Sequence, residues 1–482
     1  MKTKLKDNKI FRWIIIPLCV TLCFVGRFIP PSFGLTSDAW GVIFIFLGTI
    51  ILWLTIGIDR PSLICLLGLG FLENFGFGKV FTSSFGNSTF VFLLFTFVCT
   101  YALSKTSLIK RIAINFVNSK LAKRSGNWFV SLFLLATLIL GLFISPSVLF
   151  VVMLPILNEI LDIAKVDKND KIAKTLMMGL GFTVSISSGM TPIAHVFPIL
   201  AMNAAGIEVS PILYMGFAIP VGIIIFVLML LMFRFILRPD YTRLKNIDVS
   251  SLKETLPKVD KRDIITVSVF AVVILLWILP SIFRGVSEDF YQAINKFGTA
   301  MPPLLGTVVL CILRVDDKPL IKIDDALKNG IPWSSLIMCA GTLALGAALT
   351  SDAIGLKNFL ETNLSASLAN LPELLLLIVF VLWAAIQTNL SSNMVTATLV
   401  ATVASSILVG VGSELNLSVV ICLIGMMASF AFATPPSMPH IAIVAGSDSC
   451  TTKDVLIYGG MLMIISIVVT LLIGYPLGTL IL

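Results

Sequence analysis

The chain has two histidines, and each lies in an apolar segment that prolines interrupt. His195 falls in SISSGMTPIAHVFP (185–198) and His440 in SFAFATPPSMPHIAIVAGS (429–447). Proline removes a backbone donor and disfavours helix in the residue before it, so each segment must leave carbonyl groups and helix ends unpaired. Imidazole has an ordinary pKa of about 6.5 and donates a hydrogen bond whether neutral or charged. Two imidazoles beside unpaired helix ends predict sites for a small anion.

Hydroxyl groups are concentrated at the centres of two other apolar stretches. These read ISPSVLFVVMLP (144–155) and SSNMVTATLVAT (391–402), and neither contains an acidic or basic residue. Helix N-termini carry unpaired N–H groups and partial positive charge, which suits carboxylate, phosphate or sulfate. Helix C-termini and loosened carbonyls suit a small cation such as Na⁺. Such segments favour a small anionic substrate that is accompanied by cations or protonated groups.

Composition defines the class of protein that must position these residues. Of the 482 residues, 57% are hydrophobic and 12% are charged, whereas soluble domains have roughly 25% charged residues. The mean hydropathy is +1.02. We therefore expect an all-α polytopic membrane protein in the lipid bilayer and exclude a soluble fold. The eight cysteines lack CxxC spacing and are expected to pack as small hydrophobes, with no disulfide or metal site.

Apolar runs of about 17–25 residues predict about eleven transmembrane helices. They are expected near residues 10–31, 41–58, 61–77, 85–104, 173–204, 209–237, 264–283, 299–314, 331–351, 416–447 and 455–480. Two longer stretches with polar centres, 128–163 and 370–410, predict re-entrant hairpins that enter and leave the membrane on the same side.

The distribution of basic residues tests this layout. With the N-terminus in the cytoplasm, all but five of the 34 Lys and Arg residues lie on the cytoplasmic side. The five on the outer side are Arg27, Lys79, Arg284, Lys296 and Lys357. This asymmetry follows the positive-inside rule. The net charge of +8 therefore reports topology, and no nucleic-acid partner is expected.

Two parts of the chain present the same order of predicted elements. Residues 41–237 and 264–482 each hold five spans and one hairpin, after a first helix and connection (1–40) and with a cytoplasmic linker (238–263) between them. An odd number of spans inserts the second copy upside down relative to the first. Inverted repeats with broken helices near the midplane are typical of secondary transporters.

With these residues in view, the chain from about residue 40 onward resembles the divalent anion/sodium symporter family, the INDY-like di- and tricarboxylate carriers. FGNSTFVFLLFTFVCTYALSKTSLIKRIA (85–113) and IPWSSLIMCAGTLALGAAL (331–349) resemble the spans before the two hairpins of that family. Ser145-Pro146-Ser147 stands where the family has Ser-Asn-Thr. Thr388 to Met394 follows the family pattern Thr-Glu-x-x-Ser-Asn-Thr.

The resemblance implies a homodimer in a bacterial inner (plasma) membrane. Each protomer would have a transport part, residues 128–204 and 370–447, that moves like an elevator against a scaffold of the remaining helices. It also implies one Na⁺ site per half, with the substrate between the hairpin tips. The candidate substrate-binding residues are then Ser145, Pro146, Ser147, Thr191, His195, Ser392, Asn393, Met394, Thr434, Pro439 and His440. The candidate cation ligands are Ser145, Gly189, Thr388 and Asn393.

Departures from the family pattern fall within this set of residues. Pro146 replaces an asparagine whose side-chain carbonyl could coordinate Na⁺, and Met394 replaces a threonine hydroxyl. The family's Thr-Pro-Pro-Asn can be placed on 434–437. An alignment without gaps places Met438-Pro439-His440 and Ile441 at the four positions of this motif instead. In the first half, the same alignment places His195 where the family has the corresponding threonine. Both registers stay open at this point.

We therefore expect a secondary transporter of small dicarboxylates such as malate, fumarate, succinate and 2-oxoglutarate, without an enzymatic cofactor. Na⁺-independent exchange is the expected mode, with imidazoles in the role that Na⁺ has in relatives. The alternatives are a Na⁺-coupled di/tricarboxylate or sulfate symporter, with Na⁺ as coupling ion, and a cation/proton antiporter. Such antiporters usually carry the proton on a buried acid, and the four segments have none. An enzyme is not expected, because neither HExxH nor paired intramembrane aspartates occur.

Overall fold

Helices dominate the fold because backbone groups in a bilayer must find their hydrogen-bond partners within the protein. The computed structural model describes residues 9–55, 57–193, 195–245, 247, 258–283, 296–298, 300–349, 351–356, 359, 372–390 and 392–482. In this described part, one antiparallel pair of two-residue strands, β1 (Arg314–Val315) and β2 (Lys318–Pro319), is the only named sheet. The prediction of an all-α polytopic membrane protein is confirmed.

Among the described residues before the linker there are twelve helices. They are α1 (Lys9–Val25), α2 (Ser37–Thr55), α3 (Asp59–Gly70), α4 (Gly76–Ser83), α5 (Ser88–Ser104), α6 (Leu108–Val117), α7 (Lys120–Arg124), α8 (Gly126–Gly141), α9 (Pro146–Ile163), α10 (Lys171–Met190), α11 (Phe197–Ala204) and α12 (Pro211–Met232). A π-helical turn (Phe233–Leu237) continues α12, and 3₁₀ turns occupy Gly26–Phe28 and Tyr241–Leu244.

Among the described residues after the linker, the helices are α13 (Lys261–Phe283), α14 (Met301–Ile312), α15 (Ile323–Asp325), α16 (Trp333–Leu349), α17 (Glu373–Leu390), α18 (Asn393–Gly410), α19 (Leu417–Ser429), α20 (Pro439–Ala445), α21 (Thr452–Asp454), α22 (Gly460–Val469) and α23 (Tyr475–Ile481). π-helical turns follow α15 (Ala326–Gly330), α21 (Val455–Gly459) and α22 (Thr470–Gly474), and a 3₁₀ turn covers Pro435–Ser437.

By length and composition, five helices of the described chain are able to cross a bilayer. The number is seven when two bent helix pairs count as one span each. Those pairs are α4 with α5, bent by 41°, and the α15 segment with α16, bent by 78°. Five further apolar helices of the described part are only 10–17 residues long, which is shorter than a full span.

One predicted span is wrong at its end. The helix expected over 61–77 stops at Gly70, and α4 begins at Gly76, whose φ of +69° lies in the left-handed region that favours glycine. The Asp38 carboxylate holds the intervening turn by accepting hydrogen bonds from the backbone N–H groups of Glu73 (3.2 Å) and Asn74 (2.8 Å).

The two segments that prolines interrupt are both broken in the structure. Helix α10 ends at Met190 and α11 begins at Phe197, while α19 ends at Ser429 and α20 begins at Pro439. Every residue from Thr175 to Met190 and from Val419 to Ser429 is buried, so α10 and α19 form the centre of the bundle. Helix α11 packs against α18 and α19.

A glycine allows α11 and α19 to approach each other closely. A Cβ atom on Gly425 in α19 would lie 2.6 Å from the Cα atom of Pro198 in α11. Helices α11 and α19 therefore pack with their backbones close together, next to the two breaks. The two predicted hairpins are helix–turn–helix pairs, α8–α9 and α17–α18. Linker residues 246 and 248–257 and hairpin residues 370, 371 and 391 lie outside the described residues.

Candidate functional site

A cavity of about 660 Å³ lies where the first hairpin tip, both breaks and helix α5 meet. We call it the central cavity. Its lining from the hairpin tips and breaks comprises Ile144, Ser145, Pro146, Ser147, Val148, His195, Val196, Phe197, Met394, Met438, Pro439 and His440. Its opposite wall comprises Phe97, Thr100, Tyr101, Ser104, Lys105, Asn329, Gly330, Ile331, Pro332 and Ser335.

Helix N-termini face the central cavity from the hairpin and break side. Ser145 is the N-cap of α9 and Ser392 the N-cap of α18, and neither serine side chain caps its own helix. The first residues of α9, the first residue of α11 and the second residue of α18 line the cavity. N–H groups in the first turns of these helices lack intrahelical acceptors and give this wall a positive potential.

One ammonium group stands on the opposite wall. Lys105 follows the last residue of α5, and its Nζ lies 4.6 Å from the ring centre of Tyr101. The Tyr101 hydroxyl donates to Asp325 (3.1 Å). Interaction with the Tyr101 side chain and the nearby Asp325 carboxylate raises the pKa of Lys105, which outweighs the effect of its partial burial. Among the described lining residues there is no carboxylate, so the cavity suits an anion.

Both imidazoles line the central cavity. His195 is 4% exposed and His440 1%. The Nε2 atom of His440 lies 2.8 Å from the Ser185 hydroxyl, and the His440 ring packs 5.8 Å from that of Phe150. Two imidazole nitrogens, Nε2 of His195 and Nδ1 of His440, are buried without a hydrogen-bond partner. Buried polar atoms without a partner are costly, which makes these two nitrogens candidate contacts for a bound ligand.

A second group of polar atoms joins α17, the second hairpin tip and the second break. We call Thr388, Asn389, Asn393, Thr434 and Ser437 the second-hairpin cluster. The amide nitrogen of Asn393, turned towards the carbonyls, donates to Ser437 O (3.0 Å) and Thr388 O (3.2 Å). With the amide turned the other way, the Asn393 side-chain oxygen faces Thr388 O and Ser437 O. Three oxygens that converge in this way are the kind of ligand set that Na⁺ prefers.

Side chains of this cluster also tie hairpin to break. Thr388 Oγ1 donates to Ala428 O (2.7 Å), Asn389 Oδ1 accepts from the backbone N–H of Ala433 (2.7 Å), and Thr434 Oγ1 donates to Asn389 O. Asn389 and Ser437 were not among the predicted site residues, although both lie inside the quoted motifs. Ser185, Tyr101 and Lys105 were not predicted either, because their positions next to the site depend on how helices far apart in the chain pack together.

The structure places several predicted residues away from the central cavity. Thr191 is fully buried, and its Oγ1 accepts a hydrogen bond from the backbone N–H of Ile193 (3.0 Å). It therefore stabilises the turn at the start of the first break. Asn393 and Thr434 belong to the second-hairpin cluster. Ser392 is half-buried at the start of α18 and is not among the lining residues. Within 434–440, the first part thus contacts the hairpin, and Met438, Pro439 and His440 line the cavity.

The first half differs from the second at the corresponding position. Pro146 offers no side-chain oxygen, and the carbonyl of Gly189 accepts a hydrogen bond from the Tyr214 hydroxyl (2.6 Å). A Cβ atom at Gly189 would lie 2.5 Å from the Phe430 ring, so this glycine is also needed for packing. Among the described residues, no group of three or more His, Cys, Asp or Glu side chains could hold a metal ion.

Comparison with known proteins gives one family. The sequence-family model described as "Sodium:sulfate symporter transmembrane region" matches residues 9–482. The sodium-dependent dicarboxylate transporters SdcS of Staphylococcus saprophyticus and of Staphylococcus aureus (strain USA300) are each 24% identical to the chain over 413 residues. Each alignment covers 82% of this chain and 77% of the relative.

Proposed function

Because the chain belongs to the sodium:sulfate symporter family, we propose that it transports C4 and C5 dicarboxylates, such as malate, fumarate, succinate and 2-oxoglutarate. The observation that carries this proposal is the central cavity. It combines helix N-termini, Lys105 and two buried imidazoles, with no carboxylate among its described lining. Its volume of about 660 Å³ lies within the range of roughly 300–1,000 Å³ usual for small-molecule sites.

The two walls suggest how the two ends of a dianion are held. One carboxylate would accept from the first-turn N–H groups of α9 and from the imidazoles, and the other would face Lys105. A carboxylate is acceptor-only when ionised, so every contact it makes must come from a donor or a cation. The apolar side chains Phe97, Ile144 and Met394 would then surround the carbon chain.

The second-hairpin cluster supports one Na⁺ site in the second half. A cation there would replace the two hydrogen bonds that the Asn393 amide makes with Thr388 O and Ser437 O, with the amide oxygen turned inward. The relatives are named as sodium-dependent, which agrees with this part of the proposal. We therefore propose Na⁺-coupled dicarboxylate uptake that uses this site.

Na⁺-independent exchange is a second candidate, and a different observation favours it. In the first half, Pro146 has no side-chain oxygen and Gly189 O is already bonded to Tyr214. A first-half cation site would therefore be poor. If imidazole N–H groups hold the substrate in place of Na⁺, and if the empty carrier returns slowly, a second anion must be carried back.

The lining of the cavity also supports a two-part transport cycle. The hairpins and breaks would form a transport part, and α5 with the α15–α16 junction would belong to the scaffold. Sliding of the first part against the second would open the cavity alternately to each side. Lys105 would contact the substrate only in the position described by this structure.

Labelled succinate uptake into proteoliposomes tests these proposals. Saturable uptake into empty vesicles that requires an inward Na⁺ gradient supports the symporter. Uptake only into vesicles preloaded with dicarboxylate, and equal with or without Na⁺, supports the exchanger. Absence of uptake under both conditions, for a panel of C4 and C5 dicarboxylates, contradicts dicarboxylate transport. Sulfate and citrate in the same panel test the broader family substrates.

A further inference from the structure

Ser185 differs from the other two serines of its helix segment in what its hydroxyl contacts. Ser187 donates to Val184 O (2.9 Å) and Ser188 to Ser185 O (2.7 Å), so both have an acceptor in their own helix, as helical serines commonly do. Ser188 also makes a longer contact with Ser429 O (3.5 Å). The Ser185 hydroxyl instead lies 2.8 Å from Nε2 of His440, which is 255 residues away in the chain. Ser185 is fully buried and does not line the central cavity.

This contact decides which nitrogen of the neutral His440 ring carries the proton. If the Ser185 hydroxyl donates to Nε2, the ring proton lies on Nδ1 and one buried group, Nδ1–H, still needs a partner. If Nε2–H donates to Ser185, then two buried groups are unpaired: the hydroxyl hydrogen, for which the described structure shows no other acceptor, and the Nδ1 lone pair. Buried polar groups are nearly always paired, so the first arrangement is favoured.

We infer that Ser185 is a positioning residue that holds His440 as the Nδ1–H tautomer and thereby directs an N–H donor to the substrate carboxylate. The part of this inference that concerns the substrate carboxylate rests on the proposed function. Nδ1 is buried and unpartnered in a residue that lines the central cavity. An ionised carboxylate accepts from Nδ1–H but is repelled by a bare nitrogen lone pair.

The environment of the ring makes this arrangement useful. The other charged or titratable side chains that line the cavity are His195, Lys105 and Tyr101, and Phe150 covers one side of the His440 ring. With Ser185 as donor, His440 binds an anion while it is neutral. The site therefore does not need to bury an imidazolium, which is costly without a paired anion.

The two-histidine composition makes a direct test possible. Solid-state NMR of [¹⁵N]histidine-labelled protein in proteoliposomes reports which ring nitrogen is protonated. In the His195→Gln variant, His440 is the one remaining histidine, so every histidine signal belongs to it. We expect His440 to be Nδ1–H without substrate, and its Nδ1 shift to change when succinate is added. In Ser185→Ala, we expect the Nδ1–H preference to be lost and the KM for succinate to rise about tenfold.

Two further variants separate positioning from packing. Ser185→Thr keeps the hydroxyl and is expected to keep both the tautomer and the KM closer to wild type than Ser185→Ala. Ser187→Ala removes a buried hydroxyl from the same helix, and it should leave the tautomer and the KM unchanged. Protonation of Nε2 in the wild type, or an unchanged tautomer in Ser185→Ala, would overturn the inference.

The NMR result on substrate-free protein keeps the two proposals apart. A Ser185-dependent Nδ1–H tautomer in a protein that takes up no dicarboxylate would uphold the Ser185–His440 assignment and refute dicarboxylate transport. Succinate uptake with the same KM in wild type and Ser185→Ala would uphold dicarboxylate transport and refute the role of Ser185 in directing a donor to the substrate.

Discussion

Lys105 lies over the ring of Tyr101, 4.6 Å from its centre, and the Tyr101 hydroxyl donates to Asp325. This arrangement holds one ammonium group at the wall of the central cavity that faces the hairpins. The nearby Asp325 carboxylate also interacts with the ammonium, but it is not among the lining residues, whereas Lys105 is. The lysine charge is therefore available to an anion in the cavity.

Lys105→Gln is expected to raise the KM for succinate about three- to tenfold, because a charge facing the cavity attracts a dianion. The maximal rate should change less. KM measured in proteoliposomes at low and high salt checks this, and the wild-type value should be the more salt-sensitive one. Lys110→Gln removes an exposed lysine of α6 that does not line the cavity, and an equal effect there would contradict the assignment.

His195→Ala is expected to raise the KM about tenfold, because its buried and unpartnered Nε2 is a candidate donor to the substrate. His195→Gln keeps a side-chain N–H group and should recover part of the affinity. Substrate binding to purified protein, measured by calorimetry, gives the Kd directly. Wild-type affinity in His195→Ala would remove this residue from the site.

Asn393→Ala is expected to abolish or strongly weaken the Na⁺ dependence of uptake, since it removes the amide oxygen that would face the cation beside Thr388 O and Ser437 O. The Na⁺ concentration for half-maximal uptake is the measurement. Asn416→Ala is a matched control, because Asn416 caps α19 by accepting from the N–H of Val419 (3.2 Å) and lies outside the cluster. If both variants keep the Na⁺ response of the wild type, the proposed cation site is incorrect.

Pro146→Asn is expected to strengthen Na⁺ coupling, because it adds a side-chain oxygen at the first hairpin tip, where the family has asparagine. The position is the first residue of α9, where proline contributes no backbone donor. A steeper dependence of the uptake rate on Na⁺ concentration would be the sign of a second bound ion. An unchanged curve would show that the rest of the first half, including the bonded Gly189 carbonyl, prevents binding.

Gly425→Ala is expected to destabilise the protein by about 1–3 kcal/mol, as overpacked cores do, because the new methyl group would meet the backbone of Pro198 at 2.6 Å. The thermal unfolding midpoint in detergent should fall. Gly460→Ala is the matched control, since a Cβ atom at that position in α22 has nothing within 4 Å. Equal midpoints for the two variants would argue against close packing of α11 on α19.

Composition and local pattern determined the membrane class, the two helix–turn–helix hairpins and the two breaks. These features depend on the chain's own residues: apolar runs must be helical in a bilayer, and proline cannot continue a helix whatever surrounds it. The end of α3 at Gly70 escaped prediction because the turn is held by Asp38, which lies more than thirty residues earlier in the sequence.

The candidate site was predictable only in part. Residue type and matched position selected His195, His440 and the hairpin tips, and the structure brings the histidines, Ser145 and Met394 to one cavity. The sequence alone contained no sign that Ser185 would face His440, that Lys105 would stand opposite the first tip, or that Asn393 would turn away from the cavity to Thr388 and Ser437. Those relations depend on how helices far apart in the chain cross, and only the tertiary packing determines that.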